Sequence, residues 1–225
     1  MNYVSHYYCL KEKNPYYTLG ALLPDILHNF SFLYNRYFRS YDTVALNTEE
    51  MMLWKGIIQH YEDDAYFHEL SFFKLGMQQI EEAMNKSDVL VTLKRKFLIS
   101  HVLYELILDN MILDRNPSLV NEIYDDLAEI DVSNLRNFLK KIVGDNEEID
   151  LFLDSFDRFL ARRFLGFYTI ESNLVKSLHM VSGKISQWDY NENMVNEFVN
   201  IIKMQKQNID FNLVFDSVKK YRVIA

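Results

Sequence analysis

The chain is poor in the residues that staple or break structure: one cysteine, three prolines and six glycines in 225 residues. With Cys9 alone, no intrachain disulfide can form, no thiolate zinc cage can be assembled, and nothing points to an oxidising compartment. Scarce proline and glycine argue for long regular elements and few tight turns. No run of 18 apolar residues occurs, so no transmembrane helix is expected. The opening MNYVSHYYCLKEKNP lacks a basic region followed by an apolar core, so no signal peptide is read there. Positive charge is also in deficit: 24 Lys+Arg against 32 Asp+Glu give a net charge of −8, which argues against a general grip on nucleic acid. The expectation is a cytoplasmic protein with no membrane and no nucleic-acid partner.

What is present suits a packed core, with 49% hydrophobic and 25% charged residues. Apolar positions recur with helical rather than strand periodicity, so the expected fold is all-α. Thr18 reads as the cap of a first helix, on which Asp25 and His28 share a face. Asn47-Thr48-Glu49-Glu50 reads as a second start, with a cap followed by acids in the first turn. From there apolar positions run to about Ala83, as one helix or two, with Gly76 the candidate kink. A further helix is expected from about Val89 to Asp114, closed by Asn116-Pro117. Amphipathic stretches follow at Ser118–Ile130, Ser133–Val143, Glu147–Phe167, Glu171–Ile185, Asn191–Gln205 and Asp210–Tyr221. No repeat, low-complexity tract or long linker divides the chain, so residues 1–225 are expected to form one compact multi-helix bundle.

Two of these segments carry chemistry. Gly56 to Phe73 holds His60, Asp64 and His68; Phe97 to Arg115 holds His101, Glu105 and Asp109. A helix turns about 100° per residue, so positions four and eight apart drift by only ~80° and stay on one stripe. The second stripe lies among Leu98, Ile99, Val102, Leu103, Leu106 and Ile107, where an unpartnered charge is costly. The two stripes are expected to face each other across a metal site. Five of the six histidines (His6, His28, His60, His68, His101 and His179) fall in the first 101 residues. Imidazole and carboxylate together suit Zn, Mn or Fe, and more than four such ligands suggest two metals acting on a phosphate ester. The plain alternative for His60, Asp64 and His68 is a solvated helix face with an i,i+4 pair.

In order, MNYVSHYYCL, NPYYTLGALLPDIL, GIIQHYEDDAYFHEL and HVLYELILDNMILDRNP resemble the successive motifs of the acyl carrier protein phosphodiesterases. NLVKSLHMVSGKIS resembles their C-terminal element, so the likeness covers roughly residues 1–185. It implies an HD-like, divalent-metal-dependent, all-helical phosphodiesterase. Positions His6, Asp25, His60, Asp64 and Asp109 match the family pattern. Ala21 stands where the family has Asn, His68 where it usually has an acid, Glu105 where it has an equivalent acid, and Asn110 where it has His. The ligand order His-x3-Asp-x3-His plus His-x3-Glu is also similar to that of zinc-dependent phospholipases C and single-strand nucleases.

The resulting expectation assigns metal ligation to His6, Asp25, His60, Asp64, His68, His101 and Glu105. Asp25, Asp63 and Asp109 are the candidates to orient or deprotonate the attacking water. Lys94, Arg95, Lys96, Arg162, Arg163 and Lys184 are the candidate phosphate-binding cations, with solvated charge as the alternative. The expected substrate is a small phosphodiester or the phosphopantetheine arm of acyl carrier protein. The alternatives are nucleotides, phospholipids, or a non-catalytic binding role on the same scaffold.

Overall fold

Two helix starts near the candidate site are set by asparagine side chains that satisfy the first free amides. Asn14 Oδ1 accepts from the amides of Tyr16 and Tyr17 at 3.0 and 3.2 Å, and α2 (Pro15–Leu27) begins on the residue after it. Proline is well placed there, because its missing N–H falls where helical partners are lacking anyway. Thr18, expected as the cap, is instead inside the helix, and its hydroxyl donates to Asp126 Oδ2 at 2.9 Å. Asn47 does cap α3 (Thr48–Glu69). The Asn47 amide donates to Glu50 Oε2 at 2.8 Å and the Glu50 amide to Asn47 Oδ1 at 2.9 Å, a reciprocal capping box.

The computed structural model describes residues 1–27 and 45–224, with backbone only at 184, 185 and 220–224. His28 lies outside the described residues, as does the side chain of Lys184. Residues 1–10 contain the short helix α1 (Tyr3–Tyr8). After α3 come α4 (Ser71–Lys86), α5 (Lys96–Arg115), α6 (Leu119–Ala128), α7 (Val132–Val143) and α8 (Glu148–Arg162). A 3-10 turn (Phe164–Thr169), α9 (Glu171–Ser186), α10 (Glu192–Asn208) and α11 (Phe211–Ile224) complete the chain. Among the described residues there is no strand, and no helix is long and apolar enough to cross a membrane.

Two boundaries differ from the sequence reading for local reasons. The long apolar run breaks at Leu70, whose backbone is extended (φ −68°, ψ 138°), and not at Gly76. Gly76 is needed inside α4 for a different purpose: a Cβ there would lie 2.0 Å from the Tyr104 ring. The helix expected from Val89 starts only at Lys96. Ser87 Oγ accepts from the amides of Val89 and Leu90, both at 3.3 Å, so a side-chain turn takes the backbone donors that a helix would have used.

The residues group into two compact units through which the chain passes alternately. The first comprises Met1–Ser5, Ala65–Pro117 and Leu165–Ala225, and the second His6–Asp64 and Ser118–Phe164. In the first, α5 packs on α4 and α9, and α10 on α9, α4 and α5. Phe73, Tyr104 and Phe198 are fully or almost fully buried there. In the second, α2 packs on α6, and α8 on α7 and α6, around buried Tyr124, Phe138, Phe152 and Phe156.

The second unit also holds the closest helix approach relevant to the site. A Cβ on Gly20 of α2 would sit 2.1 Å from the Leu53 carbonyl oxygen, and one on Gly56 of α3 would sit 2.2 Å from that of Tyr17. Only hydrogen fits at both positions. The two backbones therefore nearly touch, and that contact sets α2 against the His60 stretch of α3.

Candidate functional site

The described residues contain two groups of ligand-type side chains, each with two imidazoles and a carboxylate converging within 4.8 Å. His6, His60 and Asp64 form one, within the second unit; His68, His101 and Glu105 form the other, within the first. The stripe His60, Asp64, His68 on α3 is thus divided, two residues going to one group and the third to the other. The expectation that it serves as a block facing the α5 stripe is corrected accordingly.

In the first group the helix contact at Gly20 and Gly56 brings the Ala21 carbonyl to 2.8 Å from His60 Nδ1. A carbonyl only accepts, so Nδ1 carries the proton and Nε2 keeps its lone pair. Burial, then the neighbouring His6 ring, pushes the His60 imidazole down to about 3, so it is neutral at physiological pH. His60 Nε2 lies 3.8 Å from Asp64 Oδ2 and 3.9 Å from Asp25 Oδ1. His6 stacks on His60 with ring centroids 4.0 Å apart and planes 19° from parallel. It is fully buried, with Nε2 3.4 Å from Asp64 Oδ1, and it helps hold the Asp64 carboxyl well below the usual carboxylate range. A neutral, oriented imidazole beside two carboxylates, with a second buried imidazole stacked on it, is a donor set suited to a divalent cation.

The second group converges on a single atom. Glu105 Oε1 lies 3.0 Å from His68 Nε2, 3.2 Å from His101 Nε2 and 3.0 Å from the Met1 amine. Burial alone would raise this carboxyl. The amine and the two imidazoles overcome it and hold Glu105 well below the usual carboxylate range. Three nitrogens on an oxygen with two lone pairs is more than the atom can bond well. Phe73 frames both imidazoles, at 4.9 Å from the His68 ring and 5.1 Å from that of His101.

The remaining sequence candidates do other work. Asp109 is fully buried and accepts from the Val4 amide at 3.1 Å and from the Ser5 amide and hydroxyl at 2.8 and 2.6 Å. It anchors the segment immediately before His6 and joins neither ligand group. Burial pushes its carboxyl up to about 7 against the pull of those three donors. Asp63 accepts from Gln59 Nε2 at 3.0 Å. Gln59 is itself held by the Tyr17 hydroxyl, the Lys11 amide and the Cys9 carbonyl. Asp63 thus belongs to a buried polar network and to neither ligand group.

Asn110 donates to the Tyr168 carbonyl at 2.7 Å and accepts from Lys206 at 2.6 Å, and Lys206 also pairs with Asp114 and Glu171. Its departure from the resembled pattern thus has a structural use.

The expected cations divide between the units. Lys96 donates to Asn85 Oδ1 and the Val91 carbonyl, and Lys94 lies 3.4 Å from Gln187 Oε1. Arg95 is the left-handed residue before α5 (φ 53°), so the three do not form a basic stripe on the helix of His101. In the other unit Arg163 stacks over Tyr124 and bonds Asn121, and Arg162 ends α8. The sequence singled out Ala21 for its side chain, whereas its carbonyl is what meets His60; it gave no role to Ser5 or to the Gly20–Gly56 pair. The only available signal was two glycines, each set inside an apolar helical stretch.

Compared with known protein families, curated proteins and solved structures, the chain matches none of them.

Proposed function

We propose that this protein is a metal-dependent phosphodiesterase in which His6, His60 and Asp64, and His68, His101 and Glu105, hold divalent Mn, Zn or Fe. The observation that carries the reading is His60 Nε2, left unprotonated by the Nδ1 hydrogen bond to Ala21, with carboxylate oxygens of Asp64 and Asp25 at 3.8 and 3.9 Å. Two imidazoles and a carboxylate whose ligand atoms lie within 4.8 Å of one another suit a divalent ion. Such an ion, when bound, polarises a phosphoryl oxygen and lowers the pKa of a water.

The protein's own groups do the rest. Ala21 fixes the His60 tautomer, and the stacked His6 ring limits its rotation. Asp25, 27% exposed at its side chain and outside the ligand group, would take a proton from the attacking water. Asp109 holds the Val4 and Ser5 amides that precede His6 in the chain. The acyl carrier protein resemblance supports a phosphopantetheine diester as the substrate, acted on by the same site.

Metal analysis of protein purified without chelator, together with His60→Ala and His101→Ala variants, tests the reading. Each variant is expected to lose at least one equivalent of bound metal and over about 100-fold in bis-p-nitrophenyl phosphate hydrolysis while keeping its helix content. Wild-type protein that neither retains nor takes up a divalent ion would overturn it. Release of phosphopantetheine from holo-carrier protein, measured beside the small diester, decides the substrate.

A further inference from the structure

Beside His68 and His101 the first unit opens a cleft of about 540 Å³, a size suited to a small molecule. Both imidazoles line it, and so do Phe73, Met77 and Phe97. Phe97 is 63% exposed, an unusual position for a large aromatic side chain, with its ring centroid 6.3 Å from that of His101. The polar part of the lining offers little to an anion. Lys74, the one lysine or arginine among the described lining residues, is bound to Glu69 at 2.7 Å. Gln78 donates to Glu82 at 2.9 Å, and Glu81, which accepts from Ser100 at 3.2 Å, presents negative charge. A ligand reaching the His68, His101 and Glu105 group through this cleft finds one place for a phosphoryl oxyanion and, next to it, an apolar wall with a carboxylate that repels further phosphates.

We propose that the cleft selects substrates with a single phosphoryl group joined to an aromatic or similarly bulky apolar group, against polyphosphates and small polar esters. This rests on the phosphodiesterase reading, because the phosphoryl end must be held by a cation at His68, His101 and Glu105. Phe97 supplies the face on which the apolar group lies, and Phe73 and Met77 form the floor. An aromatic ring stacked there leaves water and gains an offset or edge contact with Phe97.

The test is binding, without turnover. Protein saturated with Mn²⁺ is titrated calorimetrically with phenylphosphonate and with methylphosphonate, whose C–P bonds a phosphodiesterase does not cleave. Phenylphosphonate is expected to bind at least about tenfold more tightly. In Phe97→Ala that preference should fall to about threefold or less, with Mn²⁺ and methylphosphonate affinities within about twofold of wild type. Because Phe97 is mostly exposed, its removal leaves the core intact. Equal affinity of the two phosphonates for Mn²⁺-loaded wild type would overturn the substrate class while leaving the metal reading standing. A preference that survives in Phe97→Ala would overturn the assignment to this cleft. Failure to bind Mn²⁺, or to bind either phosphonate, would overturn the phosphodiesterase reading and this inference with it.

Discussion

Gly56→Ala puts the link between helix packing and the candidate metal group to a test in which two effects have opposite signs. In an exposed helix, replacing Gly by Ala stabilises by about 1 kcal/mol. Here the new methyl would meet the Tyr17 carbonyl oxygen at 2.2 Å and the Ala21 amide nitrogen at 2.8 Å. Both are backbone atoms, so no rotamer change relieves the clash, and α2 and α3 must separate by roughly 1 Å. Overpacking of this kind costs about 1–3 kcal/mol, and stretching the His60–Ala21 hydrogen bond adds about 1. The overlap wins, with a net destabilisation of about 1–3 kcal/mol.

For a domain of this size that corresponds to a fall in Tm of roughly 2–12 °C, read by circular dichroism. The same separation frees the His60 ring, so metal affinity at His6, His60 and Asp64 should drop about 10–100-fold. Competition titration reads that loss, against a background variant carrying His101→Ala so that only one group reports. If Gly56→Ala were more stable than wild type, or bound metal equally well, the argument from the Gly20–Gly56 contact would fail.

Other outcomes follow from single contacts. Asp109 has a folded pKa of about 7, raised above its ordinary 3.8. Its contribution is therefore complete below about pH 4 and lost as pH rises through about 7. The stability of wild type relative to Asp109→Asn should decline over that window, and urea midpoints that keep a constant difference from pH 4 to pH 8 would contradict it. Lys206→Met leaves the buried Asn110 oxygen without its donor and breaks pairs to Asp114 and Glu171. It should cost about 1–3 kcal/mol in a denaturant melt with no change in metal content, and a smaller cost would show the network to be slack. Asp63→Asn keeps an oxygen for Gln59, so hydrolysis of a small phosphodiester should stay within about threefold of wild type; a loss beyond about 100-fold would return Asp63 to the catalytic site.

Much of this protein was determined by residue spacing alone. The all-helical character, the Asn47–Glu50 capping box and the His60–Asp64 and His101–Glu105 pairs depend on neighbours within four residues. Such short-range geometry is the same in any helix. Where a short-range competitor was overlooked, as with Ser87 taking the amides of Val89 and Leu90, the helix boundary moved. Tertiary structure alone decided the partners. His6 joins His60 across more than fifty residues, and His68 joins His101 across more than thirty. The stripe on α3 is divided between two groups because its residues belong to different packing units. Asp109, with the same periodicity as Glu105, became an anchor for Val4 and Ser5. Sequence periodicity specifies the face of a helix on which a side chain lies but carries no information about what is packed against that face. Here a backbone contact between two glycines, which no side-chain pattern encodes, set the register that places Ala21 against His60.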